Sequence, residues 1–130
     1  MIDLKGKKVL VTGASGGIGK AIALELSSSG ADLCLTGRNK SELENLQKII
    51  GVNCQTVISD LSNSEGINNL ADQAQEIMGQ VDILVNNAGI TKDNLFMRMS
   101  EDDWNEVINL NLNSIFKLTK LLIKGMIKRR

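Results

Sequence analysis

The chain of 130 residues carries 15 basic and 15 acidic side chains, no histidine and no tyrosine. This neutral balance gives no positive field for nucleic acid, and 2% aromatic residues are too few for base stacking. No apolar run approaches the ~18 residues of a membrane span, and the N-terminus has no apolar signal segment. We expect a cytoplasmic protein with one domain over residues 1–130, in which Cys34 and Cys54 are buried free thiols.

Strand and helix patterns alternate along the chain, with short connections between them. The predicted strands cover residues 8–12, 31–36, 55–59 and 81–85, and the predicted helices cover residues 17–29, 41–50, 64–78 and 101–128. Gly30 and Gly51 are expected to close the first two helices. This alternation predicts an α/β fold with a parallel sheet in the order 3-2-1-4. A ligand should then lie at the carboxyl ends of strands 1 and 4.

The segment Thr12-Gly13-Ala14-Ser15-Gly16-Gly17-Ile18-Gly19 joins the first predicted strand to the first predicted helix. Gly13 permits a sharp exit from the strand, Gly17 lets the backbone approach a phosphate, and Gly19 lets the helix pack close to the sheet. Backbone N–H groups and a helix N-terminus would converge there on an anion. The pattern predicts a dinucleotide site; the alternative is a glycine-rich turn without a ligand.

The end of the second predicted strand bears on the choice of dinucleotide. An NAD site needs an acid about 20 residues after the glycines to hold the ribose 2′-hydroxyl. Residues 35–39 read Leu-Thr-Gly-Arg-Asn, and Asp32 lies at the other end of the strand. The guanidinium of Arg38 suits a 2′-phosphate, which favours NADP(H). The alternative is that Arg38 is a solvated loop charge.

Polar and small residues also follow the third and fourth predicted strands. Two interpretations fit Asp60 and Leu61: an adenine contact, or a helix-start acid followed by a core leucine. Residues 86–89 read Asn-Asn-Ala-Gly, whose small members permit close approach of a flat ring. Asn111 lies in the last predicted helix, where asparagine is a poor helix former, so it has another task or is a surface residue.

The last predicted helix carries more apolar residues than one sheet can cover. Leu118 and Leu122 belong to its main stripe, and Phe116 and Ile127 widen it. The edge of the fourth strand is also left unpaired. These features predict a homodimer or higher homo-oligomer through that edge or that helix.

A basic tail follows the apolar residues of this helix. Its members are Lys124, Lys128, Arg129 and Arg130. Two interpretations fit the tail: charges that complement the negative end of the helix, or a docking patch for an acidic partner.

Four motifs together resemble the classical short-chain dehydrogenase/reductase family. They are the glycine segment 12–19, Asp60-Leu61, Asn86-Asn87-Ala88-Gly89 and Asn111-Leu112-Asn113-Ser114. Within that family, residues 87–99 look like the 3-oxoacyl-acyl-carrier-protein reductases of fatty acid biosynthesis. The resemblance covers the whole chain but only about the first half of a typical member. It implies a Rossmann-type doubly wound sheet, truncated to about four strands with a long C-terminal helix.

The resemblance also implies a cofactor, NADP(H), and a role for each matching residue. Gly13, Ser15, Gly17, Ile18 and Gly19 would line the pyrophosphate, Arg38 the adenosine phosphate, Asp60 and Leu61 the adenine, and Asn87, Ala88 and Gly89 the ribose and nicotinamide. Asn111 matches the family's catalytic asparagine, which supports a proton relay through water. Many members have a basic residue where Gly16 stands, so Arg38 carries the NADP preference more alone here.

The resemblance implies that the remaining catalytic residues are Ser, Tyr and Lys, with the Tyr donating a proton as hydride arrives. These three are not matched within residues 1–130. We therefore expect the cofactor-binding half of a ketoacyl reductase, inactive by itself, whose basic tail helps to dock the acyl-carrier protein. The alternatives are a stand-alone dinucleotide-binding module and a self-associating half-fold without catalysis.

Overall fold

The computed structural model describes residues 2–130 and contains one four-stranded parallel sheet. Its strands are β1 (Lys8–Val11), β2 (Asp32–Gly37), β3 (Cys54–Ile58) and β4 (Ile83–Val85), and its helices are α1 (Gly17–Ser28), α2 (Lys40–Ile50), α3 (Ser64–Met78), α4 (Glu101–Ile108) and α5 (Ser114–Arg129). The strand order β3-β2-β1-β4 confirms the predicted α/β topology. The first three strands and the first three helices lie within one residue of their predicted ends.

Two apolar layers cover the sheet, one on each face. Leu10 and Cys34 point into the layer that contains α3 and α5, whereas Val9 and Leu33 point into the layer that contains α1 and α2. Because successive side chains of a strand point to opposite faces, a strand covered on both sides consists almost entirely of apolar residues. This is the physical reason that uninterrupted apolar runs predicted the inner strands. No helix within residues 2–130 has both the length and the apolar character needed to cross a bilayer.

The strand β4 is shorter than the predicted 81–85. The carboxylate of Asp82 accepts the backbone N–H of Lys8 at 2.9 Å, in place of a backbone carbonyl. The regular pairing of β4 with β1 therefore begins only at Ile83, opposite Val9. At the same place, Arg129 donates to the backbone oxygen of Val81 at 2.6 Å and lies 3.8 Å from Asp82. Arg129 therefore fastens the end of α5 to the start of β4, which is a structural task for one member of the basic tail.

The predicted long C-terminal helix over 101–128 is confirmed, but it is not α-helical throughout. A π-helical turn, Asn109–Asn113, separates α4 from α5, and in it the N–H of Ser114 donates to the oxygen of Asn109, five residues earlier. The hydroxyl of Ser114 donates to the oxygen of Leu110, which satisfies a carbonyl within the irregular turn. On the outer side, Phe116 and Ile127 are exposed, as the width of the apolar stripe predicted.

Both cysteines are free and buried, which confirms their predicted state. Burial raises the pKa of Cys34 to about 12, with Cys54 nearby adding to it, and burial raises the pKa of Cys54 to about 11. Unfolded thiols titrate near 9.0. Above that pH the unfolded chain releases thiol protons that the folded chain keeps, which favours the unfolded chain. The free energy of unfolding is therefore unaffected by the thiols below pH 9 and falls as the pH rises toward 12.

We predict that alkaline pH lowers the stability of the wild-type chain more than that of a Cys34→Ala variant. The measurement is the urea midpoint at pH 8 and pH 10.5, followed by the fluorescence of Trp104, the single tryptophan. The two chains differ only at residue 34, so the difference between them isolates the thiol. An aromatic disulfide reagent should label neither native thiol at pH 8. Equal alkaline shifts in both chains would contradict the prediction.

Candidate cofactor site

A cleft of about 530 Å³ opens at the carboxyl edge of the sheet, where β1 and β4 lie side by side. All eleven residues predicted to bind the cofactor line it. They are Gly13, Ser15, Gly17, Ile18, Gly19, Arg38, Asp60, Leu61, Asn87, Ala88 and Gly89. The sequence therefore identified residues that come from all four strand ends and meet in one place, although they span 77 positions of the chain from Gly13 to Gly89.

The glycine turn at the base of the cleft shows which glycines the fold itself requires. Gly13 has a φ of +62°, and Gly19 packs so closely that a Cβ would overlap the oxygen of Gly13 and lie 2.8 Å from the Cα of Ala14. A Cβ on Gly17 would meet no atom of the described residues, 2–130, within 4 Å. Gly17 therefore faces open space at the N-terminus of α1, where the helix N–H groups favour an anion. We call the turn from Gly13 to Gly19, with this open N-terminus, the glycine cradle.

Thr12 joins the glycine turn to the loop after β4. Its hydroxyl oxygen accepts the backbone N–H groups of Asn87 and Ala88, each at 3.0 Å, and its hydroxyl donates to the oxygen of Val85 at 3.3 Å. The Asn87 amide then donates to the oxygen of Gly13 at 3.1 Å. Sequence reasoning did not single out Thr12 for this task, because a threonine at the end of a strand is an ordinary β residue.

We predict that Thr12→Val lowers the free energy of unfolding by about 2 kcal/mol, since two N–H groups lose their acceptor at a buried position. Thr12→Ser keeps the hydroxyl and should recover most of the loss. Thr119→Val is the matched control, because within residues 2–130 Thr119 accepts only the long 3.3 Å bond from the exposed Asn86 amide. Urea unfolding checks all three variants. Equal losses for Thr12→Val and Thr119→Val would contradict this interpretation.

The other end of the cleft is polar and charged. Asp60 is exposed at the rim, and one of its carboxylate oxygens accepts the N–H of Ser62 at 2.9 Å. Hydrogen bonds from the side chain and the backbone of Ser62 hold the pKa of Asp60 below its ordinary value, and the charge of Arg38 adds to this. Asp60 is therefore an ionised acceptor at neutral pH. Leu61 is 7% exposed and belongs to a buried cluster, yet it also lines the cleft.

Asn111 does not line the cleft directly but braces a residue that does. Its side-chain oxygen accepts the N–H of Ile90 at 2.8 Å, and its amide donates to the oxygen of Ile90, also at 2.8 Å. Gly89 leaves room for this pairing, because a Cβ at that position would lie only 3.2 Å from the side-chain oxygen of Asn111. The side chain of Asn111 thus orients the loop after β4. The proton relay implied by the resemblance stays a prediction.

Sequence reasoning missed several residues that line the cleft. One of them is Gly37, where the structure requires a glycine because a Cβ would lie 2.8 Å from the hydroxyl oxygen of Ser15. Ser59 and Ser62 lie beside the predicted Asp60-Leu61 pair, so an inspection of neighbouring positions would have found them. Glu106 and Leu110 come from the far end of the sequence, where no local pattern marks them.

Comparison with known proteins supports the resemblance seen in the motifs. A family described as short chain dehydrogenase matches residues 7–130. The chain is 47% identical over 130 residues to nodulation protein G of Rhizobium sp. (strain N33). It is 41% identical over 129 residues to the 3-oxoacyl-acyl-carrier-protein reductase FabG of Salmonella typhimurium. These alignments cover 100% and 99% of this chain but 53% of each relative, so the chain spans about half the length of the curated relatives it matches.

Solved structures share the fold at similar coverage. The Pseudomonas aeruginosa RhlG/NADP active-site complex superposes with a TM-score of 0.87 at 32% identity, over 93% of this chain and 48% of that one. The 3-ketoacyl-(acyl-carrier-protein) reductase of Brucella melitensis complexed with NADH gives a TM-score of 0.89 at 30% identity, over 94% and 50%. Because the family match covers nearly every residue and the Rossmann-type topology agrees, this chain belongs to the short chain dehydrogenase family.

Proposed function

We propose that this chain is the NADP(H)-binding, N-terminal part of a 3-oxoacyl-acyl-carrier-protein reductase. The observation that carries the proposal is the single cleft lined by all eleven predicted residues, with an open glycine cradle at a helix N-terminus. The similarity to FabG proteins supports the substrate class, a 3-oxoacyl thioester on the carrier protein. When bound, the cofactor supplies a hydride to the ketone carbon.

The residues of this chain would hold the cofactor in three places. N–H groups of the glycine turn would bind the pyrophosphate, and Asp60 would accept from the adenine amino group. The loop Asn87–Ile90, fixed by Thr12 and Asn111, would flank the nicotinamide ribose and exclude water from it. This part of the protein would thus bind and orient the cofactor.

Arg38 supports NADP(H) over NAD(H). It lies at the end of β2, lines the cleft and is exposed, so its guanidinium is free to form paired hydrogen bonds with a 2′-phosphate. Residues 35–39 contain no acid that would hold a ribose 2′-hydroxyl instead. Solved relatives carry either dinucleotide, NADP in one and NADH in another. The choice therefore depends on Arg38 in this chain.

Catalysis would need residues that the 130-residue sequence does not contain. The family's proton donor is a tyrosine, and this sequence has none. The chain by itself is expected to bind the cofactor without turning over a substrate.

Two exposed surfaces of α5 are proposed to contact partners. The basic residues Lys124, Lys128 and Arg130 would attract the acidic carrier protein, and the apolar residues Phe116 and Ile127 would pack against a second copy or another part of the protein.

The test is a calorimetric titration of the chain with NADPH and with NADH. We expect NADPH to bind at least tenfold more tightly, and we expect no oxidation of NADPH when an acetoacetyl thioester is added. Absence of binding by either nucleotide would overturn the proposed function. Equal affinities would contradict the role of Arg38, and measurable turnover would contradict the absence of catalysis.

A further inference from the structure

The π-helical turn Asn109–Asn113 joins two loops that lie on opposite sides of the cleft. The amide of Asn109 donates to the backbone oxygen of Ser62 at 2.6 Å. Two residues later, Asn111 pairs with the backbone of Ile90. Side chains two positions apart on a helix project to different sides, so one turn can reach both loops. Asn111 accounts for the nicotinamide side, and nothing in the proposed function uses Asn109.

Asn109 contacts the adenine side through a short chain of hydrogen bonds. Its amide holds the carbonyl of Ser62, and the N–H of the same Ser62 holds the carboxylate of Asp60 at 2.9 Å. Asp60 itself is exposed and lines the cleft. An exposed carboxylate on a loop is mobile unless its backbone is fixed. The bond from Asn109 crosses 47 positions of the sequence and fixes that backbone against the helix.

We propose that Asn109 is a positioning residue for the adenine end of the dinucleotide, acting through Ser62 on Asp60. This inference rests on the proposed function, since it needs a nucleotide in the cleft. Asn109 does not line the cleft, so its effect is indirect. The turn then serves both halves of the cofactor, with Asn109 directed to the adenine loop and Asn111 to the nicotinamide loop. Both amides are carried by the same π-helical turn, two positions apart.

The experiment uses two fragments of the cofactor to separate the two ends. Adenosine 2′,5′-bisphosphate probes the adenine end, and nicotinamide mononucleotide probes the other. Asn109→Asp replaces the donor with an oxygen that faces the Ser62 carbonyl. We expect it to weaken adenosine 2′,5′-bisphosphate about tenfold, because the hydrogen bond is lost and the new carboxylate repels the Ser62 carbonyl, and to leave nicotinamide mononucleotide unchanged. Asn109→Ala should weaken the bisphosphate about threefold, without adding charge.

Asn113→Asp is the matched control for the added charge. Asn113 lies on the same turn, is exposed, and forms no side-chain hydrogen bond with residues 2–130. In an Asp60→Asn background, Asn109→Ala should have little further effect on the bisphosphate, because the two residues act in series. A purely structural role would instead weaken both fragments and add to the effect of Asp60→Asn.

The outcomes separate the inference from the proposed function. If the wild-type chain binds neither NADPH nor the bisphosphate, the proposed function fails and this inference fails with it. If the wild-type chain binds both, and the Asn109 variants bind the bisphosphate as tightly as Asn113→Asp does, only the inference fails. Trp104 fluorescence during urea unfolding checks that each variant is folded. If Asn109→Asp does not fold, Asn109→Ala provides the same test.

Discussion

Gly19→Ala is expected to lower the free energy of unfolding by about 3 kcal/mol and to abolish NADPH binding, the largest combined effect of any single change in the cleft. The added methyl would overlap the backbone oxygen of Gly13 and lie 2.8 Å from the Asn87 amide. Backbone atoms cannot turn aside as a flexible side chain can, so α1 must move away from β1. The bond from Asn87 to the Gly13 oxygen would break with it. Urea unfolding and NADPH calorimetry measure the two effects.

Two neighbouring glycines provide controls that separate folding from binding. A Cβ on Gly17 meets nothing within 4 Å, so Gly17→Ala should keep the wild-type stability and yet weaken NADPH at least tenfold by filling the cradle. Gly16→Ala should change neither quantity much, because its Cβ would lie 3.6 Å from the nearest atom, and its φ of −83° suits alanine. A stable Gly19→Ala that binds NADPH normally would contradict the close packing of α1 on the turn.

The parts of the fold that the sequence predicted are those set by local patterns. Apolar runs such as Val9-Leu10-Val11 are buried on both faces of the sheet, so a buried strand can be recognised in the sequence as an uninterrupted apolar segment. Gly30 and Gly51 have φ values of +92° and +101°, which explains why glycine marks those helix ends. The meeting of the candidate residues in one cleft was predictable for a related reason. Parallel strands bring their carboxyl ends to one edge, so residues after each strand converge.

The parts that the sequence did not predict depend on hydrogen bonds between distant residues. Thr12 holds a loop 75 positions away, and Asn109 holds one 47 positions away, while neither residue type is unusual in its local segment. The π-helical turn is a related case. Its apolar spacing satisfies an α-helix, so no local pattern marks the turn from which Asn109 and Asn111 reach two separate loops. Long-range polar contacts leave no periodicity in a sequence.

Arg38→Asp is expected to lower the affinity for NADPH about 100-fold and to raise the affinity for NADH. Charge-assisted hydrogen bonds to a phosphate contribute about 1.5–3 kcal/mol, and 1.4 kcal/mol corresponds to a factor of ten. The aspartate would repel the 2′-phosphate and would instead accept from a 2′-hydroxyl, the arrangement of an NAD site. Calorimetric titration with both nucleotides gives the ratio of affinities, which is the quantity that should invert.

The inversion can be assigned to phosphate recognition only if a nearby cation behaves differently. Lys40 is such a cation, because it lies two residues further along, pairs with Glu44 at 3.8 Å and does not line the cleft. Lys40→Asp removes the same charge at nearly the same place and should leave the ratio of NADPH to NADH affinity within about threefold, since an exposed charge in salt acts weakly at a distance. Arg38→Ala should weaken NADPH about tenfold to 100-fold and leave NADH unchanged. If Arg38→Ala weakened both nucleotides equally, Arg38 would be a general contact to the dinucleotide and the preference for NADP(H) would need another residue.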